Sequence, residues 1–445
     1  MRVKKRIWML KFYNREKEIA LLRKIQRKAI DTAQMSFVVG RRRIGKTALL
    51  THTFREEIML YFFVEKKNES LLCEEFTEEI QNKLSVTIYG EMKSVKDVFG
   101  FLMDLSTNRQ FTLVIDEFQE FNKINSAIYS EMQNIWDRNK DSSHINLILC
   151  GSVYSLMNTI FQNSKEPLFG RATARLNIQQ FDIQTIKSIL FDHYPEFSNE
   201  DLLAFYLLSG GVAKYVELLV NSQAFTLQNI INEVLSENSL FLDEGRNVLI
   251  DEFGKDYNNY FSILMLIASS KTSRSEMESI MNSSIGGFLD RLENDFGLIT
   301  KMRPVLSKPM GKNVKYRIND NFLNFWFRFI FKYRSAIEMK NFDYVSKIIF
   351  RDYQTYSGQI LERYFREKLI AEENLSAIGS YWENGNQNEI DIVALNEFEK
   401  TAIIAEVKRN AEKISIPELQ NKAVNLIKQL PNYSIEYRAL SLNDM

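Results

Sequence analysis

The chain has 445 residues, too many for one hydrophobic core and enough for about three domains of ~150 residues. Its 57 basic and 57 acidic side chains cancel, so no global field draws it to nucleic acid or a membrane, and any such contact must use a local patch. Two cysteines, Cys73 and Cys150, exclude a disulfide framework, and no stretch approaches the ~20 apolar residues of a membrane span. The basic start Met1-Arg2-Val3-Lys4-Lys5-Arg6 is followed only by Ile7-Trp8-Met9-Leu10, too short for a signal peptide's apolar region. A cytoplasmic protein without a membrane partner is expected.

Residues 35–39 (Met-Ser-Phe-Val-Val) form a buried strand pattern that runs into Gly40-Arg41-Arg42-Arg43-Ile44-Gly45-Lys46-Thr47. This is the pattern G-x-x-x-x-G-K-[ST] of a phosphate-binding loop. Glycines let backbone N–H groups turn around a phosphate, Lys46 brings a point charge, and Thr47 offers a hydroxyl to Mg²⁺. A helix opening there aims its positive end at the anion. The expected nucleotide contacts are Gly40, Arg43, Ile44, Gly45, Lys46, Thr47 and Ala48. Three successive arginines cannot all face one nucleotide, so Arg41, Arg42 and Arg43 are expected largely to point outward.

Residues 60–64, 111–115, 145–150 and 174–178 are further strand patterns alternating with helical ones, which implies a parallel sheet covered on both faces. The third strand ends in Asp116-Glu117. A carboxylate there can hold Mg²⁺ through its water shell, and the adjacent one can orient an attacking water. Alone, Asp-Glu after a strand would equally start a helix. Ser152, after Gly151 at the next strand's tip, either senses a γ-phosphate or caps the following helix.

Together these motifs resemble the archaeal-type P-loop ATPases of the AAA+/STAND-related group. The resemblance rests on Phe12-Tyr13-Asn14-Arg15-Glu16-Lys17-Glu18-Ile19, which is similar to an F-x-x-R-E-x-E box, and on residues 40–47, Asp116-Glu117 and Gly151-Ser152. Pro167-Leu168-Phe169-Gly170-Arg171 and Gly210-Gly211-Val212-Ala213-Lys214-Tyr215 extend it, with Ala213 where the family often has proline. It implies ATP as the nucleotide, the box of Arg15 near the adenine, and Arg171 as a candidate for reaching the γ-phosphate of its own or a neighbouring nucleotide. Outside the resemblance, Arg171 reads as a solvated or salt-bridged loop arginine. The catalytic set is then Lys46, Asp116, Glu117, Ser152 and Arg171, with Thr47 and Asp116 on the metal.

The expected fold is α/β: a P-loop core over residues 1–182, a helical lid over 183–240, a winged helix-turn-helix over 241–340 and an α/β nuclease-like domain over 341–445. Apolar residues recur at helical spacing from Ile183 to Leu219 and break at Gly210-Gly211. Residues 261–267, 273–277 and 284–292 read as three helices, and 298–303 and 313–318 as the two strands of a wing. Asp290, Glu293 and Asp295 make the third helix acidic, whereas Lys301, Arg303, Lys308, Lys312, Lys315 and Arg317 make the wing basic. Such a module either contacts DNA or serves as a packing and protein-interaction element. The aromatic run at residues 321–331 reads as core rather than as a base-stacking platform.

Near the C-terminus, Asp391 and Glu406-Val407-Lys408 lie on successive strand patterns. Side chains alternate along a strand, so Glu406 and Lys408 share a face, and Asp391 and Glu406 would converge on one Mg²⁺ across a hairpin. Glu362, on an upstream helix, would complete the cluster. The order helix acid, strand acid, E-x-K resembles the PD-(D/E)xK nuclease fold. Lys408 would position water or steady developing charge. The expected function is an ATP- and Mg²⁺-dependent ATPase coupled to DNA, with a protein partner or self-association as further expectations. The alternative is an ATP-gated scaffold whose nuclease-like fold binds partners without cleaving.

Overall fold

A computed structural model describes residues 11–445 apart from 254–255, 309–310 and 312. The basic start and Lys312 of the expected wing lie outside the described residues. The chain divides into two compact units, Asn14–Gln179 and a second built from residues 11–13 with Gln180–Met445.

The first unit is a five-stranded parallel sheet: β1 (Gln34–Val39), β2 (Met59–Phe63), β3 (Phe111–Asp116), β4 (Ile145–Gly151) and β5 (Ala174–Asn177). Their order is β2-β3-β4-β1-β5, so β4 stands between the strand leading to the phosphate loop and the strand ending in Asp116. Every residue of β1, β3 and β4 is buried, as strands covered on both faces require. Helices Glu69–Leu84, Val95–Leu105 and Ala127–Asn139 supply much of this core through Phe76, Phe99 and Trp136. Two of these helices start at side-chain caps, Asn68 and Ser94, which accept from Ser70 N–H at 2.9 Å and Asp97 N–H at 3.2 Å. Parallel strands end at one edge of the sheet, which brings residues 40–47, 116–117 and 151–152 together.

The second unit begins with helices Ile183–His193, Asn199–Ser209, Ala213–Asn221 and Leu227–Val234. Gly210 and Gly211 end the second of these in left-handed conformation (φ 53° and 75°), and a Cβ on Gly211 would lie 2.2 Å from the Phe181 carbonyl oxygen. Helices Tyr257–Ala268, Arg274–Met281 and Gly286–Asp290 follow. After them comes an antiparallel ribbon of β6 (Ile299–Met302) and β7 (Lys315–Ile318). The aromatic run is core: Phe322, Phe325, Phe327 and Phe329 are at most 1 % exposed. The helix Phe342–Glu372 then leads into β8 (Ala377–Tyr381), β9 (Ile390–Asn396) and β10 (Thr401–Lys408). The helix Ile416–Ile427 returns the chain to β11 (Ser434–Ser441), parallel to β10 in a sheet ordered β11-β10-β9-β8.

Candidate functional site

The phosphate loop turns on two left-handed residues, Arg43 (φ 71°) and Gly45 (φ 93°), and Gly45 caps the helix Lys46–Thr53. A Cβ on Gly40 would sit 2.9 Å from the Ile178 carbonyl oxygen, so the strand exit has no room for a side chain. Ile44 is buried beneath the loop, Arg41 and Arg42 are half-buried, and Arg43, Thr47 and Ala48 are exposed. Lys46 is only 8 % exposed and donates to the Gly40 carbonyl oxygen at 2.7 Å. Burial lowers its ammonium below the ordinary lysine range, against the opposing pull of Glu117 and Asp116.

The acids at the tip of β3 join this loop. Thr47 Oγ1 donates to Asp116 Oδ2 at 3.3 Å, Tyr61 OH donates to the same oxygen, and the Glu117 N–H donates to Oδ1 at 2.9 Å. Glu117 is held in left-handed conformation (φ 52°). Its Oε2 accepts from Ser152 Oγ at 2.7 Å and from Gln119 Nε2. Lys46, Thr47, Asp116, Glu117 and Ser152, expected together from sequence, therefore stand in one polar set. Thr47 and Asp116 present the hard oxygen donors that Mg²⁺ takes, so they fit that ion.

Two expected residues stand apart from this set. Arg171 ion-pairs with Asp137 (Nη2 to Oδ2 2.6 Å) and donates to the Pro167 carbonyl oxygen at 2.7 Å. It precedes β5, whose Ala174 pairs with Ser36 near the start of β1, and Thr173 N–H donates to the Met35 carbonyl oxygen. Arg171 thus occupies the edge of the sheet opposite the phosphate loop. Arg15, buried at the start of the helix Glu16–Lys28, donates to the Gln179 carbonyl oxygen at 2.5 Å and ties the two ends of the unit.

The second acid cluster lies within the other unit. Asp391 Oδ2 accepts from the Val407 N–H at 2.8 Å and from Lys408 Nζ at 3.3 Å, and Lys408 ion-pairs with Glu406 at 3.0 Å. Lys422, from the helix Ile416–Ile427, also reaches Glu406 Oε1 at 3.1 Å, while Glu406 Oε2 is buried without a partner. Glu362 faces Arg366 at 3.6 Å. Burial, then the charge of Asp391, pushes its carboxyl up to about 8. The orphaned Glu406 oxygen suits a cation, but two lysines already neutralise that carboxylate. Among the described residues no three His, Cys, Asp or Glu side chains are grouped to hold a metal ion.

Two cations of the expected basic wing meet other groups of the second unit. Lys315 pairs with Glu389 at 2.8 Å and lies 4.7 Å from the Trp382 ring centroid. Arg317 lies beside Arg363 and Arg366. Sequence reasoning missed Tyr61, Gln119, Asp137 and Lys422. The one available signal was Tyr61, a hydroxyl among Met59, Leu60, Phe62 and Phe63.

Residues 12–219 match a family described as an ATPase domain predominantly from Archaea, and residues 326–422 match a family described as archaeal and bacterial proteins of unknown function. An uncharacterized protein of Methanocaldococcus jannaschii is 29 % identical over 409 residues, covering 89 % of this chain and 87 % of that protein. Among solved structures, a Walker-type ATPase of Pyrococcus abyssi superposes with a TM-score of 0.57 at 18 % identity, covering 71 % of this chain and 96 % of the other. The ORC2 protein of Aeropyrum pernix gives a TM-score of 0.49 at 14 % identity, over 74 % of this chain and 95 % of that one. Residues 12–219 are thus similar to that ATPase-domain family, and the likeness to the Pyrococcus abyssi structure is one of fold. No helix among the described residues is long and apolar enough to cross a membrane.

Proposed function

We propose that this protein is an ATP- and Mg²⁺-dependent ATPase working as a nucleotide-driven switch or motor, coupled to DNA through the β6–β7 region and the C-terminal sheet. The observation that carries the reading is the hydrogen-bonded set joining Thr47, Asp116 and Glu117 beside the buried Lys46. Lys46 exchanges its contact with the Gly40 carbonyl for phosphate oxygens, and the loop N–H groups bind the rest of the phosphate. Thr47 and Asp116 hold Mg²⁺, which when bound neutralises charge on the β- and γ-phosphates. Glu117 orients the attacking water. Its carboxylate oxygen is engaged by Ser152 and Gln119, so Ser152 must trade Glu117 for the γ-phosphate when it reports the nucleotide state. The position of Arg171 on the opposite sheet edge favours action on the nucleotide of a neighbouring copy. In the Glu117→Gln variant, ATP binding is expected to persist while single-turnover hydrolysis falls by ~10²–10⁴-fold. Unchanged turnover would remove the assignment.

The C-terminal unit supports two readings. The element order helix, three strands, helix, strand and the orphaned Glu406 oxygen support a nuclease-like site acting on DNA. The neutralisation of Glu406 by Lys408 and Lys422 favours an inert fold that binds a partner. Incubation with supercoiled DNA and Mg²⁺ or Mn²⁺ separates them. Nicking lost in both Asp391→Ala and Lys408→Ala supports cleavage, and the absence of nicking under every condition supports the scaffold.

A further inference from the structure

The second unit holds a cleft of about 460 Å³, within the size range of small-molecule sites. One wall is the segment between β6 and β7, through Pro304, Val305, Ser307 and Asn313. The other is Tyr381, at the end of β8, with the turn that follows it. The walls are fastened together. Val305 N–H donates to the Ser380 carbonyl oxygen at 2.9 Å, and a Cβ on Gly379 would lie 2.8 Å from Val305 Cγ2. Trp382, only 2 % exposed, donates Nε1 to Asn313 Oδ1 at 2.8 Å, from one wall to the other.

Glu383 is the one charged side chain lining the cleft. Its Oε1 accepts from Tyr381 OH at 3.0 Å and from Asn425 Nδ2 at 3.1 Å, which fixes the carboxylate in place. The turn after it closes where Glu383 N–H donates to the Gln387 carbonyl oxygen at 2.8 Å. Asn384 and Gln387, exposed on that turn, line the same cleft and make no side-chain hydrogen bond among the described residues. No lysine or arginine lines it, which argues against a phosphate inside. Cations stand outside instead: exposed Lys308 and Lys428 adjoin the lining residues Ser307 and Gln429 in the chain. A carboxylate accepting from an amino group, and amides pairing a donor with an acceptor, are the groups that read base edges. An unpaired base offers its Watson–Crick edge to such groups. We propose that this cleft binds an unpaired nucleobase carrying an exocyclic amino group, with Glu383 accepting from the amine and Asn384 and Gln387 pairing with the ring edge. The base belongs either to a nucleic-acid strand or to a free nucleoside. In its nucleic-acid form the site rests on the proposed coupling to DNA, because its walls come from the β6–β7 region and the C-terminal sheet.

The test titrates the full chain with labelled single-stranded oligo-dC, single-stranded oligo-dT and a duplex, read by fluorescence anisotropy. It is run in EDTA and again with Mg²⁺ and a non-hydrolysable ATP analogue. The parent is expected to bind oligo-dC ~3–10-fold more tightly than oligo-dT, since thymine carries a carbonyl where cytosine carries the amine. Glu383→Gln is expected to erase that preference while duplex binding stays unchanged, an outcome that a purely structural carboxylate would not give. Asn384→Ala, at an exposed turn position, is expected to weaken oligo-dC binding and carries the comparison should Glu383→Gln fail to fold. Calorimetry with deoxycytidine reads the cleft apart from any backbone. Deoxycytidine bound, and lost in Glu383→Gln, with no oligonucleotide bound assigns a free nucleoside and removes the coupling to DNA. Oligonucleotides bound alike whatever their base, and unaffected by the variants, overturn the base site and leave the coupling standing. Binding of neither probe overturns both.

Discussion

Asp116 is gripped on both carboxylate oxygens, by the Glu117 N–H on one side and by the hydroxyls of Thr47 and Tyr61 on the other. The Tyr61 hydroxyl stays protonated, because burial and then the Asp116 charge raise it well above the ordinary tyrosine range, so it remains a donor. It also lies 3.3 Å from Thr47 Oγ1, beside both groups expected to hold the metal. Tyr61→Phe deletes that hydroxyl while leaving the ring in β2. The variant is expected to need several-fold more Mg²⁺ for half-maximal hydrolysis and to lose ~0.5–1.5 kcal/mol of stability. An unchanged Mg²⁺ titration would show that Tyr61 plays no part in setting the carboxylate.

At the scale of elements, the exit of β4 is shaped by Gly151. A Cβ there would lie 2.4 Å from Gln119 Oε1 and 2.4 Å from Met157 Cγ. Because Gln119 Nε2 holds Glu117, the strand tip and the expected water-orienting acid are packed as one piece. Gly151→Ala is expected to cost ~1–3 kcal/mol by overpacking and to slow hydrolysis with nucleotide binding retained, as thermal denaturation and a turnover assay would report. The strands were legible in the sequence because a parallel sheet buried on both faces needs continuous apolar runs, as in the Val38-Val39 and Ile148-Leu149 stretches. The phosphate loop was legible because its glycines and lysine are fixed by local geometry. The grip of Tyr61 on Asp116 was not, since it depends on β2 pairing with β3, a contact between residues 55 positions apart. The inward turn of Arg317 was likewise hidden. A ribbon that alternates apolar and charged residues does not declare that its charged face meets other protein.

Taken as a whole chain, the first unit has the more completely assembled site. Its loop, its paired acids and the serine beside them come from the ends of β1, β3 and β4, and the alternation of strands and helices announced that convergence. The second unit was legible as a sequence of elements, but its acid cluster is self-neutralised by lysines that no spacing rule in the chain foretold, Lys422 above all. The most direct test of the central claim is a calorimetric titration of ATP with Mg²⁺ into the full chain and its Lys46→Ala variant. The account predicts saturable binding by the parent and a loss of ~100-fold or more in the variant, since a charge-assisted contact to phosphate is removed from a buried position. Equal affinity in both proteins, or no binding by the parent, would contradict it.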